Sequence, residues 1–204
     1  RNPWGEVTLP EGITSISLFI IKTIAHRARL DNTGVTYLQY VVNNDKLNFK
    51  MKIVRYISDT ATEYGILDGE TVQCVDGTPY TRLEPANRHY KLSDLKLLSP
   101  CTPSKIVAIG LNYRSHAEEF KVHIPEEPLL FLKPSTAVIG PEDSITYPPF
   151  SQRVDYEGEL GVVIKAITRR VSIKEAQDSV LGYTCVNDVT ARDRQVRRSP
   201  EGFT

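Results

Sequence analysis

The acidic stretch from Val154 to Ile164, VDYEGELGVVI, constrains the fold more than any other segment. In a β-strand, alternate residues share a face, so Asp155, Glu157 and Glu159 are expected to point the same way, about 7 Å apart in succession. No Lys or Arg lies between them, and like charges on one face repel each other unless a positive group separates them. Two interpretations stay open: an exposed acidic edge strand, or a row of carboxylates that binds a cation.

A second acidic site, Asn187-Asp188, follows a strand predicted at 181–186. Asp188 either caps the N-terminus of a helix, because Asn and Asp are preferred there, or is a further metal ligand at the end of a strand. Carboxylate oxygens are hard ligands, which suit Mg²⁺, Mn²⁺ or Ca²⁺ rather than Zn²⁺.

The third site follows a strand that ends at Gly110. A short helix is predicted to begin after Ser115, with Ser115 and Glu118 forming an S-x-x-E capping box that leaves Glu119 free. His116 and Glu119 are three residues apart and therefore share a helix face. A Glu beside a His orients the imidazole and favours its action as a base. The alternative is an ordinary surface His–Glu pair.

The rest of the chain is typical of short strands divided by turns. Met51 is the sole methionine, and the regular strand pattern begins there, so residues 1–50 are interpreted as an unassigned N-terminal extension that need not be native. The alternative is a genuine β-rich segment. Residues 51–100 are predicted to form a small β domain, with a turn at Asp68-Gly69, and 101–204 a second domain. Strands are predicted at 52–58, 63–68, 71–76, 105–110, 129–134, 156–164 and 181–186, and a helix at 172–180.

Composition excludes several classes of function. The 25 Lys and Arg balance the 25 Asp and Glu, which argues against a partner that is a nucleic acid or an anionic membrane. The most apolar run, residues 16–24, is interrupted by Lys22 and is shorter than the roughly 20 residues that span a bilayer. The three cysteines include no CxxC, so neither a disulfide framework nor a cysteine zinc site is supported, and a reducing, cytoplasmic location is expected.

Four motifs, taken together and in order, resemble the fumarylacetoacetate hydrolase family in its short, acylpyruvase-like form. The resemblance covers about residues 101–204, while 51–100 is similar to the small N-terminal β domain of some members. The motifs are GLNYRSHAEE at 110–119, FLKPS at 131–135, DYEGEL at 155–160 and GYTCVNDVTARDRQ at 182–195.

The resemblance implies an α+β, mostly-β fold, in which a small β domain precedes a mixed β-sandwich roll. It also implies a divalent cation, usually Mg²⁺, held by Glu157, Glu159 and Asp188. Asp155 shares their predicted face but is not a usual ligand. The basic segment that contains Arg192 is interpreted as solvated.

The resemblance further implies that His116 and Glu119 activate water on a lid helix and that Gln195 contacts substrate. The implied function is metal-dependent C–C bond hydrolysis of an acylpyruvate or fumarylacetoacetate-type compound, a small oxo acid. Alternatives are an isomerase, decarboxylase or hydratase of 2-oxo dicarboxylates on the same metal site, or a non-catalytic metal-binding module. A homodimer is expected. Family members continue past this point, with a catalytic lysine downstream of the Asp188 motif, so the chain is expected to be a fragment.

Overall fold

The computed structural model describes residues 38–41, 50–59, 61–119, 121, 123–195, 198–199 and 202–203. Most of the regular structure in these residues is β-strand, which confirms the predicted mostly-β class. Two short 3₁₀ turns lie at Leu92–Asp94 and Ser135–Ala137. The α-helices are α1 (Arg114–Glu119), α2 (Ile173–Asp178) and α3 (Arg192–Gln195). The strands are β1 (Leu38–Val41), β2 (Lys50–Ile57), β3 (Thr62–Asp68), β4 (Thr71–Gly77), β5 (Leu83–Lys91), β6 (Lys96–Leu98), β7 (Ile106–Gly110), β8 (Leu129–Lys133), β9 (Val154–Asp155), β10 (Gly158–Ile164), β11 (Val180–Asn187), β12 (Thr190–Ala191), β13 (Arg198–Ser199) and β14 (Gly202–Phe203).

Eight of these strands form one sheet, in the order β10-β11-β1-β2-β3-β4-β5, with β6 also paired to β2. The pairs are antiparallel. Residues 50–53 of β2 pair with β1, and residues 55–57 pair with β6. The strands β1 and β6 therefore pair with successive parts of β2.

The chain divides into two units. Residues 102–138 belong to one unit, which holds the β7–β8 hairpin and α1. Residues 35–101 and 139–204 belong to the other, which holds the eight-stranded sheet and the acidic segments.

The strand β2 is buried on both faces. Its Val54 and Tyr56 belong to one apolar cluster, together with Val72, Cys74 and other buried residues. The intervening Ile53 points the other way, because alternate strand residues face opposite sides, and packs with the second cluster, which includes Val163 of β10 and Leu181 of β11. The second cluster therefore anchors the β10–β11 strand pair, beside which Glu157 and Asp188 lie.

Several local predictions agree with this arrangement, and others were wrong. Gly69 has φ +58° in the turn between β3 and β4, as expected for the Asp68-Gly69 turn signal. The strands that were missed include β1, β5 and β6. The helix α1 begins at Arg114, before Ser115, so the predicted capping box at its start was wrong. Residues 1–37 and 42–49 of the predicted extension lie outside the described residues.

A capping box does occur at α2, where the Ser172 side chain accepts from the Glu175 N–H at 3.3 Å and Glu175 Oε2 accepts from the Ser172 N–H at 2.8 Å. This box explains why a helix of only six residues begins sharply after Ser172. In the part of the chain that the structure describes, no helix is long and apolar enough to cross a membrane.

Candidate functional site

The acidic segment is interrupted, contrary to the single strand predicted at 156–164. The strand β9 ends at Asp155 and β10 begins at Gly158, so Tyr156 and Glu157 connect two strands with different partners. Asp155 pairs with Thr190 of β12 in a separate two-stranded sheet. The prediction of one continuous face for Asp155, Glu157 and Glu159 therefore fails at Asp155.

Glu157 lies just before β10 begins, Asp188 lies just after β11 ends, and the two residues are opposite each other. The register pairs Gly158 with Asn187 and Glu159 with Val186. One step further, the Asp188 N–H donates to the Glu157 carbonyl at 2.8 Å, and the Glu157 N–H donates to Asn187 Oδ1 at 3.1 Å. These bonds fix the position of Asp188 across from Glu157, and Glu159 lies two residues further on, within β10. Asp188 lies ahead of the helix that begins at Arg192, so the helix-capping interpretation was wrong.

Buried oxygens mark both sides of this pairing. Glu157 Oε1 and Asp188 Oδ1 are shielded from solvent, and burial of a carboxylate costs free energy unless a positive charge compensates it. Carboxylate oxygens are the donors that Mg²⁺, Mn²⁺ and Ca²⁺ prefer, so these residues fit a hard cation. Among the described side chains, no group of three or more His, Cys, Asp and Glu is gathered in a metal-binding cluster, and the three-carboxylate ligand set stays a prediction.

Arginine side chains supply the positive charge that the acidic strand itself lacks. Arg192 Nε donates to Asp155 Oδ2 at 3.0 Å, and Arg192 Nη2 forms an ion pair with Glu157 Oε1. Arg153 also binds Asp155: its Nε donates to Oδ1 at 2.9 Å, and its Nη2 lies 2.9 Å from Oδ2. The hydrogen bonds from these two guanidinium groups lower the pKa of the Asp155 carboxyl, and Arg153 has the larger effect. The Arg192 side chain is only 13% exposed, so its interpretation as part of a solvated basic segment was wrong.

A second set of bonds attaches α3 to the segment before β9. Asp193 accepts from the Gln152 N–H at 3.0 Å and from the Ser151 hydroxyl at 2.6 Å. Both bonds lower the pKa of the Asp193 carboxyl, and the Gln152 bond has the larger effect. Arg194 donates to the Phe150 carbonyl, and its guanidinium lies 5.9 Å from the centre of the Phe150 ring. The start of α3 is thereby held beside the acidic residues.

Gln195, the predicted substrate contact, is the last residue of α3. Its Oε1 accepts from Arg192 Nη1 at 2.5 Å, which leaves the two N–H groups of its amide as donors. Gln195 is thus linked through Arg192 to Glu157.

The predicted catalytic pair lies in the other unit. His116 and Glu119 both belong to α1, with the spacing that places two residues on one helix face. Their side chains lie outside the part of the structure that is described, and their roles stay predictions.

Sequence reasoning missed Arg192 and Asn187 as residues that shape the site. In the sequence, Arg192 follows Asp188 by four positions and resembles any surface arginine; its burial becomes visible only once β9 pairs with β12. Asn187 adjoins Asp188 and was interpreted with it, but its side chain instead closes the end of the β10–β11 pair. Neither role has a periodic signal.

Comparison with known families identifies two parts of the chain. Residues 105–203 match the family model described as fumarylacetoacetate (FAA) hydrolase, C-terminal. Residues 105–203 belong to the fumarylacetoacetate hydrolase family. Residues 51–100 match the model described as Rv2993c-like, N-terminal.

Named relatives of this family carry several activities. The chain is 42% identical over 108 residues to oxaloacetate tautomerase FAHD2A, mitochondrial, of Homo sapiens. The matched residues cover 52% of this chain and 34% of that protein. It is similar to the crystal structure of 2-hydroxyhepta-2,4-diene-1,7-dioate isomerase from Mycobacterium marinum, with a TM-score of 0.63, 35% identity, and coverage of 72% of this chain and 57% of that one.

The fumarylacetoacetate hydrolase from Exiguobacterium antarcticum has a TM-score of 0.60 at 28% identity, and the match covers 72% of this chain and 58% of that one. The first curated relatives are matched over 42%, 57% and 37% of their own length, so the chain spans about half of the proteins it resembles. These relatives include hydrolases, isomerases and tautomerases of one superfamily.

Proposed function

We propose that the chain is part of a divalent-metal-dependent enzyme that hydrolyses a C–C bond in an acylpyruvate or fumarylacetoacetate-type compound. The observation that carries the proposal is the pairing that sets Asp188 opposite Glu157, with a buried carboxylate oxygen on each. Glu157, Glu159 and Asp188 would hold Mg²⁺, with Mn²⁺ or Ca²⁺ as alternatives, because hard cations prefer oxygen ligands. When bound, the cation would supply Lewis-acid stabilisation of negative charge on the oxygens of a 1,3-dicarbonyl or 2-oxo acid.

The protein's own groups supply the proton transfers in this proposal. His116 would take a proton from the attacking water, and Glu119 would orient the imidazole and favour its protonated form. Gln195 would donate an amide N–H to a substrate oxygen, because Arg192 already bonds its Oε1. This division of roles matches the family motifs but rests on the sequence for His116 and Glu119.

Isomerisation or tautomerisation of a 2-oxo dicarboxylate is the second candidate. It is favoured by the activities named for the tautomerase and isomerase relatives, which are 42% and 35% identical to this chain over the matched residues, against 28% for the named hydrolase. Such a reaction moves a proton on the substrate and needs no attack by water. Decarboxylation, hydration and a non-catalytic metal-binding module remain further alternatives.

The test is turnover of the intact protein on a panel of acylpyruvates and 2-oxo dicarboxylates, with and without Mg²⁺. We expect Mg²⁺-dependent hydrolysis, which His116→Ala lowers about 10²- to 10⁴-fold, the usual size of a general-base contribution, without changing metal affinity. Glu159→Gln should weaken Mg²⁺ binding, because a neutral amide replaces an anionic ligand.

Tautomerisation of oxaloacetate without any hydrolysis would establish the second candidate instead. Metal binding without turnover of any substrate in the panel would point to a binding module. A cytoplasmic location, assembly as a homodimer, and the exclusion of nucleic acids and membranes as partners all stay predictions.

A further inference from the structure

The ladder between β10 and β11 ends in an irregular pair. Its last register pair is Gly158 with Asn187, so the next residues outward are Glu157 and Asp188. In a hydrogen-bonded antiparallel pair, the two residues exchange two bonds, in which each N–H donates to the carbonyl of the other residue. One of these bonds is present here, because the Asp188 N–H donates to the Glu157 carbonyl at 2.8 Å.

The side chain of Asn187 takes the place of the second bond. The Glu157 N–H donates to Asn187 Oδ1 at 3.1 Å, so an amide oxygen accepts the bond that the Asp188 carbonyl would accept in a regular ladder. A backbone N–H can only donate, so the oxygen of the amide and not its nitrogen must face Glu157. Both backbone groups of Glu157 are thereby bonded to residues 187 and 188.

The Asp188 carbonyl bonds in a different direction. It accepts from the Thr190 hydroxyl at 3.1 Å, two residues further along the chain. Thr190 begins β12 and pairs with Asp155 of β9. The chain therefore leaves the β10–β11 ladder at Asp188 and enters the two-stranded sheet two residues later. The Asn187 side chain lets the backbone turn in this way while the Glu157 N–H stays bonded.

We propose that Asn187 is a positioning residue, whose side chain ends the β10–β11 ladder and thereby sets Glu157 and Asp188 opposite each other. The proposal rests on the proposed function in one respect, the assignment of both carboxylates as metal ligands. Asn187 is exposed and acts through the backbone of Glu157 rather than on a cation or a substrate. Replacement of a residue that orients metal ligands commonly lowers metal affinity or activity by about 10- to 100-fold.

Two substitutions separate the acceptor oxygen from the rest of the Asn187 side chain. Asn187→Ala removes the acceptor, so the Glu157 N–H should exchange with solvent about fivefold faster, the size expected for the loss of one hydrogen bond. Asn187→Asp keeps an oxygen at the same reach and should retain the exchange rate of the unchanged protein. The same difference is expected with Mg²⁺ and in EDTA, because the bond joins two groups of the fold.

Metal affinity should follow the backbone. In Asn187→Ala, Mg²⁺ and Mn²⁺ should bind about tenfold more weakly, because the backbone of Glu157 is no longer held from both sides. Asn187→Asp should bind them at least as tightly as the unchanged protein, because it keeps the bond and adds a negative charge. Asn187→Leu provides a second variant: it has the branched shape of asparagine without an acceptor, and it should behave like Asn187→Ala in both measurements.

The experiment is amide hydrogen exchange of the full protein at single-residue resolution, together with calorimetric titration with Mg²⁺ and Mn²⁺. Cys185→Ala is the matched control, because Cys185 is also exposed and lies two residues earlier in β11, opposite Leu160. Its metal affinity and the exchange of the Glu157 N–H should stay unchanged. The N–H of Val163, a buried residue of β10, is the internal reference for a general loosening of the strands.

Several results would overturn the role of Asn187. They are an unchanged exchange rate of the Glu157 N–H in Asn187→Ala, an equal increase at Val163, or a loss of metal affinity in Asn187→Asp as large as in Asn187→Ala. If the unchanged protein binds Mg²⁺ and Asn187→Ala binds it equally well, only the positioning proposal falls. If neither the unchanged protein nor any variant binds a divalent cation, the proposed metal site falls and the positioning role falls with it.

Discussion

Replacement of Gly161 by Ala tests whether close pairing of β10 and β11 keeps Asp188 opposite Glu157. Gly161 lies opposite Thr184 in the register. A Cβ at Gly161 would lie 2.7 Å from Val186 Cγ2, 2.8 Å from Thr184 Cγ2 and 3.3 Å from the Thr184 carbonyl oxygen. Val and Thr are β-branched and have few alternative rotamers, so the two strands must move apart locally.

The expected cost is that of overpacking, about 1–3 kcal/mol, and it is not at the upper end of that range because Val186 is 43% exposed. With a urea m-value of about 2 kcal/mol/M, typical of small proteins, a cost of about 2 kcal/mol shifts the unfolding midpoint by about 1 M. Because the same strands set Asp188 across from Glu157, the metal affinity of the folded variant should fall as well.

Gly158→Ala is the matched control in the same strand. A Cβ at Gly158 meets nothing within 4 Å, so the change should be neutral or stabilising by up to about 1 kcal/mol, because alanine restricts the unfolded chain. Urea unfolding of both variants of the intact protein is the assay. A Gly161→Ala midpoint equal to that of the unchanged protein, or a larger loss for Gly158→Ala, would refute the reasoning.

Three further perturbations probe other parts of the molecule. Tyr56→Phe should cost about 1 kcal/mol in urea unfolding, because the buried hydroxyl bonds Glu63 at 3.1 Å and Cys74 Sγ at 3.2 Å; an unchanged midpoint would mean that these bonds contribute nothing. Asp193→Asn should lower the melting temperature most at neutral pH, because folding lowers the pKa of the Asp193 carboxyl below its value of about 3.9 in the unfolded chain. The ionised carboxylate therefore stabilises the fold at neutral pH, and this contribution is lost as pH falls through the folded-state pKa. A difference in melting temperature that persists at low pH would contradict this. Glu119→Gln should reduce hydrolysis more than Glu118→Gln, and equal losses would mean that the wrong face of α1 has been assigned.

Local sequence signals predicted the elements whose stabilising interactions are themselves local. The β3–β4 hairpin could be predicted because Asp68-Gly69 favours a positive φ at the turn. The helix predicted at 172–180 is present as α2, although it has no buried residue and begins at a capping box. The strand β5 could not be predicted, since its sequence LEPANRHYK contains a proline and few β-formers. Pairing along β4 determines its structure, from Thr71 opposite Lys91 to Gly77 opposite Leu83.

The candidate site divides in the same way. The motifs placed Glu159 on a strand and Asp188 directly after another, and both positions agree with β10 and β11. Glu157 was expected on the same strand as Glu159 but lies just before it. The separation of Asp155 from that strand could not be predicted, because it depends on the pairing of Asp155 with Thr190, 35 positions along the chain. That pairing brings Arg192 against both Asp155 and Glu157. A charge that looks unbalanced in the sequence is balanced by a residue that only the fold brings near, so an acidic row without adjacent Lys or Arg is not by itself an indication of a metal.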